Sequence, residues 1–537
     1  MSYKNKVLPL ASRFDLDQDL IELYDSVRGI SWEDLEIDDE FRNYELNDAD
    51  TKGAVLFPLI PGYNSLLYRF AVLGHVFRTR GYQPIILYDD FDLPVRPEFT
   101  VDNTERLQAI RYRRQVREFD SQTGFETYSI GELIDNPGEY DLDTIEIRNP
   151  VYQGVSLAGC VKASTRKYFK RYSLDLSDPS IRSTYEGFLR GGMTLVDAMN
   201  RLFEYYDIDV TIINESSYIQ GFVPMVVSRD HGTPTYIQGW IYQSGQLLFG
   251  RATHRHHMPQ FISRDVVERA LQTELTDAES DDVAQIVSSW RNNDVSALDL
   301  TSPTGNSVRT NAETTVGLFT NLLWDAAMEP SQALYDDVYE WLEDSIDALA
   351  GREDIHLVIK PHPAESIRGT QESVREWVRS TYHPLPENVT LLASDTDVDT
   401  YALFQDLDFG LVYASTVGLE MIYDGVPAVT TGYPPYRGFG ITWDPTTKEE
   451  YLELVKQAGE LDCSTNRRDR ASRYLYLLFF CKRFDFPYWD IEEGEPRSQI
   501  RHADLTPGNE PWDTISQQIL ANEDVLQSDC QRFKRSP

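Results

Sequence analysis

Two short stretches carry residue types suited to holding a phosphate. Residues 356–365, HLVIKPHPAE, place Lys360, His362, Pro363 and Glu365 at the end of an apolar run, and residues 409–420, FGLVYASTVGLE, place Ser415, Thr416, Gly418 and Glu420 at the end of another. Lys360 and His362 offer cationic or hydrogen-bonding groups, while Ser415 and Thr416 are spaced to cap a following helix, whose N-terminus attracts anions. Glu420 falls about one helical turn past Thr416, within reach of sugar hydroxyls in the same crevice. Asn321, with Thr320, Trp324 and Asp325, forms a third polar cluster behind the run TVGLF. Together these residues read as a nucleotide pocket.

Such a pocket needs strands that end where helices begin. In an open α/β sheet, ligands bind in the crevice beyond the carboxyl ends of the strands. From residue 314 onward, apolar runs alternate with helical stretches without a hairpin signal: TVGLFTN, a helix over 333–350, HLVIK, a helix to about 380, NVTLLA, DFGLVYA, a helix from Thr416, then VPAVTT. That alternation predicts a parallel, helix-covered, Rossmann-like sheet. The first half opens with a similar unit, GAVLFPLI, the turn PGYNS, a helix over 66–80 and QPIILYDD. It lacks a GxGxxG fingerprint, so Gly62 and Asn64 are assigned to a loop facing the cleft on the acceptor side. Residues 100–148 read as helical and charged, with Arg111, Arg113, Arg114 and Arg117 clustered; a second basic segment, KASTRKYFKRY at 162–172, belongs to a helix from near Leu157. Either is a solvated face or a contact for an anionic acceptor or lipid headgroup. Strands are expected at 208–214, 225–227 and 234–237. Glu215 and His231, at their ends, are the candidates for a catalytic base, against the plainer reading of both as ordinary loop side chains.

His254, His256 and His257 fit no common metal spacing, and Asp-x-Asp triplets at 395–397 and 406–408 arise readily in a chain with 87 acidic residues, so no metal is expected. The predicted divisions are an extension at 1–50, an acceptor domain at 51–300, a nucleotide-sugar domain at 301–460, and helices at 461–537 that cross back to the first domain, ending in a weakly ordered tail from about 504. The apolar run at 467–484, RRDRASRYLYLLFFCKRF, reads as core or as a membrane-surface helix.

The chain has 537 residues and a formal charge of −37, spread along its length, with Arg outnumbering Lys. That balance suits a high-salt cytoplasm and excludes nucleic acid as a partner of the body. Four scattered cysteines indicate no disulfide framework. The N-terminus MSYKNKVLPLASRFDLDQDL has no apolar core of signal length, and no stretch approaches a membrane span, so a soluble cytoplasmic protein is expected, peripheral at the inner face of the membrane if its basic segments engage lipid.

The runs GLFTNLLWDA, DDVYEWLEDSI, LVIKPHPAE, VYASTVGLEMIYDGVPAV and YRGFGITWDP together resemble the C-terminal half of capsular-polysaccharide glycosyltransferases of the two-Rossmann GT-B fold, which share a His-Pro motif with Kdo transferases and sialyltransferases. The resemblance implies that His362 and Pro363 belong to the donor nucleotide site, that Ser415 and Thr416 lie near the donor phosphates, and that Glu420 meets the ribose. The Asp/Glu-Asp-Gly motif that supplies the base in such sialyltransferases is absent from the first half. The expected activity is transfer of a sugar from a nucleotide-sugar, which is substrate and not cofactor, to a glycan or lipid-linked acceptor. The alternatives are a nucleotide-sugar epimerase on the same scaffold and a non-catalytic nucleotide- or glycan-binding scaffold in envelope assembly.

Overall fold

The computed structural model describes residues 35–60, 64–90, 92–95, 115–116, 118–239, 245–253, 258–291, 308, 312–325, 333–490 and 495–534. The first domain is built on β1 (Gly53–Leu59), β2 (Tyr82–Tyr88), β3 (Glu126–Ser129), β4 (Ile208–Ile213), β5 (Thr235–Gly239) and β6 (Gln246–Arg251). The second is built on β7 (Thr314–Phe319), β8 (Ile355–Lys360), β9 (Val389–Leu391), β10 (Phe409–Val412) and β11 (Ala428–Thr430). Each contains a parallel core in the same order, β3-β2-β1-β4-β5 and β9-β8-β7-β10-β11. β6 extends the first sheet antiparallel to β5. Strands such as β1 and β7 are buried along nearly their whole length, because helices cover both faces; this is why they read as unbroken apolar runs rather than alternating ones. In this order the winding reverses between the first and fourth strands, opening a crevice at the tips of β1 and β4 and another at the tips of β7 and β10. The two parallel, helix-covered sheets are the two Rossmann-like domains expected from the sequence.

Four helices of the first domain matter for the site: α1 (Asn64–Arg78), α2 (Ala158–Phe169), α3 (Pro179–Tyr205) and α4 (Ile219–Asp230). The strand expected at 225–227 is the middle of α4, with Pro224 inside the helix. A short apolar run does not distinguish a buried strand from a buried helix, and here the helix won. The charged stretch expected to be helical throughout 100–148 contains β3, at the edge of the first sheet. Arg111, Arg113, Arg114 and Arg117, the cluster His254, His256 and His257, and residues 1–34 of the expected N-terminal extension lie outside the described residues.

The second domain adds α5 (Val338–Leu349), α6 (Ala364–Ile367), α7 (Val374–Thr381) and α8 (Val417–Asp424). It also receives a side chain from the first. The chain leaves α2 through Lys170 in a left-handed conformation, φ 51°, and drives Tyr172 into the second domain's core, its ring centre 5.2 Å from that of Tyr339. Val338 N–H donates to the Tyr172 hydroxyl at 3.1 Å, and Gln371 N–H donates to the Lys170 carbonyl at 2.9 Å. Glu372 accepts from the backbone N–H groups of Tyr172 and Ser173 at 3.1 and 2.8 Å, and from the hydroxyls of Ser173 and Tyr339, both at 2.7 Å. Arg166 lies over the Tyr172 ring, 3.9 Å from its centroid. The first domain is thus plugged into the second at the root of α2.

After the second domain the chain returns. α9 (Thr465–Tyr476) runs into a π-turn at Leu477–Cys481, and β12 (Arg483–Asp485) pairs antiparallel with β6 to complete the first sheet. The apolar run read as core or membrane-facing is buried: Leu475, Leu477, Leu478 and Phe479 all join one core cluster. Beyond it, α10 (Trp512–Leu520) packs under the first sheet with Trp512, Ile515 and Ile519 buried, so the tail expected to be weakly ordered is core-forming. Cys481 and Cys530 form a disulfide across a separation of 49 residues, where the scattered spacing had indicated none. Sequence distance does not report spatial distance once a chain doubles back. No helix among the described residues is long and apolar enough to cross a membrane.

Candidate active site

A cleft of about 490 Å³ separates the two domains at the tips of β7 and β10. Asn321, Asp325, His362, Arg368, Ser415 and Thr416 line it from the second domain; Lys167, Tyr218 and Gln260 face them from the first, and Tyr474 of α9 contributes from the returning chain.

The strand ends explain how these groups arrive. Asn321 follows β7 after Thr320, and its side-chain oxygen accepts from Ala414 N–H at 3.3 Å, stitching the first strand of the sheet to the fourth across the switch point. His362 lies between two prolines after β8, in a segment that cannot continue as strand ladder or helix interior. Its Nδ1 accepts from Ala364 N–H at 3.1 Å. A backbone N–H can only donate, so Nδ1 carries the lone pair and Nε2 the hydrogen. Burial holds the His362 pKa below the ordinary value, with Arg368 and Lys360 adding to the effect and Asp325 opposing it. The ring is therefore a neutral N–H donor, which suits an oxyanion and needs no protonation. Ser415 Oγ accepts from Val417 N–H at 3.3 Å at the start of α8, and the Tyr436 hydroxyl donates to the Ser415 carbonyl. Thr416, expected to cap as well, adopts helical dihedrals and makes no capping bond.

Gly418 does not line the cleft but lets the loop pack. A Cβ there would lie 2.6 Å from the Tyr436 hydroxyl oxygen and 2.9 Å from a Val412 methyl. Gly418→Ala is expected to lower stability by about 1–3 kcal/mol, the usual cost of overpacking, and to weaken nucleotide binding by displacing Tyr436. Thermal unfolding and calorimetry on the same sample would show both changes; an unchanged melting temperature would contradict the packing argument.

Other residues assigned to the donor from sequence turn elsewhere. Lys360 is buried and donates to the Val398 carbonyl at 3.0 Å; burial lowers its pKa, opposed by Asp399. Pro363 leads into α6. Glu365 is buried, accepts from Val374 N–H at 3.4 Å, and is pushed up by burial to about 7. Glu420 is likewise buried and pushed up to about 7, with the hydroxyls of Thr416 and Tyr401 opposing the shift; it stands behind Thr416 and does not line the cleft. On the acceptor side, Asn64 opens α1 and Gly62 lies outside the described residues.

Neither proposed base reaches the cleft. Glu215 follows β4, and its Oε2 accepts from Ser217 and Tyr218 N–H at 2.8 and 3.0 Å; burial pushes its pKa to about 7, and these backbone bonds oppose that. Its work is to hold Tyr218. His231 sits at the far end of α4, hydrogen-bonded to Asn200 at 2.9 Å and stacked on Phe203 at 4.3 Å. A helix that starts at a strand tip ends near the opposite edge of the sheet, which removes His231 from the crevice.

Sequence reasoning missed Lys167, Tyr218 and Arg368 as cleft residues and noted Asp325 only within a polar cluster. Lys167 lay in the basic segment 162–172, a signal that a solvated helix face also gives. Its ammonium is 4.4 Å from the centre of the Tyr218 ring.

Residues 337–470 match the model of the capsule polysaccharide biosynthesis protein family. The matched segment starts at the cap of α5 and ends within α9, so it contains His362, Arg368, Ser415 and Thr416 but neither Asp325 nor the first-domain wall. No curated protein matches the chain. Among solved structures, the beta Kdo 2,4 transferase of Thermosulfurimonas dismutans KpsC is 17% identical over 47% of this chain and 79% of its own, with a TM-score of 0.31. The beta Kdo 2,7 transferase of the same KpsC is 15% identical over 49% and 79%, TM-score 0.28. CalG4, the calicheamicin glycosyltransferase, is 12% identical over 79% and 93%, TM-score 0.28. Likenesses at this level bear on neither the donor nor the acceptor of this chain. No group of three or more His, Cys, Asp or Glu among the described residues is placed to hold a metal ion.

Proposed function

We propose that the chain is a glycosyltransferase of capsular-polysaccharide type, moving a sugar from a nucleotide-sugar bound by the second domain to a glycan or lipid-linked hydroxyl presented by the first. The observation that carries this reading is the neutral His362 N–H donor beside Arg368 and the α8 start at a topological switch point, facing a second wall across one cleft. As the glycosidic bond to phosphate lengthens, the sugar gains oxocarbenium character and the phosphate gains negative charge. His362 donates to that oxygen, Arg368 supplies positive charge, and the N–H groups at the start of α8 add the positive end of the helix dipole. These groups serve the leaving phosphate without a divalent cation. Asn321 and the packing at Gly418 fix the loop that carries Ser415 and Thr416. The acidic surface suits work in a high-salt cytoplasm, and an acceptor on a lipid carrier would bring the protein to the membrane's inner face.

The test is calorimetric titration of CMP, CDP, UDP and GDP into the purified protein in molar KCl, with His362→Ala alongside. Selective binding of one nucleotide, weakened by the substitution, is the expected result and names the donor class. A folded protein that binds none of them would overturn the proposal.

A further inference from the structure

We infer that Asp325 takes the proton from the acceptor hydroxyl and that Tyr218, reaching across from the other domain, positions it. The inference rests on the glycosyl-transfer reading of the same cleft. Attack by an alcohol on an anomeric carbon needs a group to accept its proton as the new bond forms, and neither Glu215 nor His231 enters the cleft. Asp325 is the single carboxylate among the described residues that line it, in a chain otherwise rich in carboxylates.

Its placement is built from both sides. The turn after β7 is closed by Asp325 N–H donating to the Leu322 carbonyl at 3.0 Å, and Trp324, buried beside it, donates through its indole N–H to the Thr370 hydroxyl at 2.9 Å. From the first domain, the Tyr218 hydroxyl donates to Asp325 Oδ1 at 3.4 Å. Tyr218 is itself held by Glu215 through its backbone N–H and by Lys167 over its ring. Asp325 also acts electrostatically on His362, so proton acceptor and phosphate donor flank the same space.

The step balances without a co-reactant. The acceptor oxygen forms a bond to the anomeric carbon, the bond from that carbon to the phosphate oxygen breaks with its electron pair going to phosphate, and the acceptor proton passes to Asp325. The Tyr218–Asp325 contact crosses from one domain to the other, so both domains contribute to placing the proton acceptor.

The experiment measures transfer from labelled UDP-, GDP- and CMP-linked sugars to a glycan and lipid extract of the cells that make the protein. It compares the wild type with Asp325→Asn, Asp325→Ser and Tyr218→Phe, each checked by thermal melting and nucleotide titration. Both Asp325 variants are expected to lose about 100-fold or more in kcat, the scale of general-base catalysis, with nucleotide affinity within twofold of wild type. Tyr218→Phe should lower kcat by about 3–10-fold, the worth of one ordinary hydrogen bond, with the donor KM unchanged. Asp325 variants that fold, bind nucleotide and retain most of their turnover would overturn the assignment. So would a sugar mass attached to Asp325 after incubation with donor alone, which would make it a nucleophile. A wild type that transfers no sugar would instead remove the glycosyl-transfer reading itself, before any variant is compared.

Discussion

His362→Ala is expected to lower kcat about 10²–10³-fold, the range seen when one preorganised donor to a developing oxyanion is removed. Nucleotide binding should weaken much less, because Arg368 and the α8 start still meet the phosphate in the ground state, whereas the His362 N–H matters most once negative charge has developed. The fold should survive: the ring makes one backbone contact, to Ala364, and faces the cleft. Acid should be tolerated better than a free imidazole would allow. The His362 pKa lies below 6.5, so the ring stays neutral, with Nδ1 able to accept from Ala364, as pH falls through 6.5. Turnover that falls along the titration curve of an ordinary histidine, or a variant with wild-type kcat, would contradict this role.

The second large effect is on folding. A chain ending at Tyr476 keeps every second-domain cleft residue described above, yet it should fail to form a stable first domain. It removes β12, which pairs with β6, and it removes Phe484, Phe486, Trp512, Ile515, Ile519 and Val525 from the first domain's core, where all are buried. Burial of a large apolar side chain contributes about 1.5–3 kcal/mol, so the loss is on the order of 10 kcal/mol, comparable with the whole stability of a domain. Expression should give insoluble protein, or a soluble one whose melting lacks the first-domain transition. A truncated protein that melts like the full chain would show that the return is dispensable.

The second domain was legible because a doubly wound sheet writes itself as apolar runs separated by helices, and because β7, β8 and β10 each end in residues that neither strand nor helix interior favours. The residues that reach the cleft were legible in part. Asn321, His362, Ser415 and Thr416 stand immediately past strand tips, where direction follows from topology. Lys360 and Glu365 share a stretch with His362, but alternation along a strand and the twist of a short helix turned them toward Val398 and Val374. Tyr218 and Lys167 could not be paired with Asp325 from sequence, because the contact spans two domains and depends on how they meet. β3 was hidden by its polar composition, ETYS, since an edge strand needs little apolar surface. The core role of 504–534 was hidden because α10 packs on α1 and β4, which lie hundreds of residues earlier.

The plug at Tyr172 makes the two halves poor interchangeable modules. A donor domain grafted from another chain would have to bring a socket shaped for that ring, a carboxylate matching Glu372 for the backbone beyond it, and an edge able to dock Gln371 against Lys170. Exchange of donor specificity between lineages, by recombination or by design, is thereby confined to the cleft-facing loops of the second domain. Lys167 lies on α2 within two turns of the Tyr172 anchor, so that part of the cleft's first-domain wall is held against the second domain.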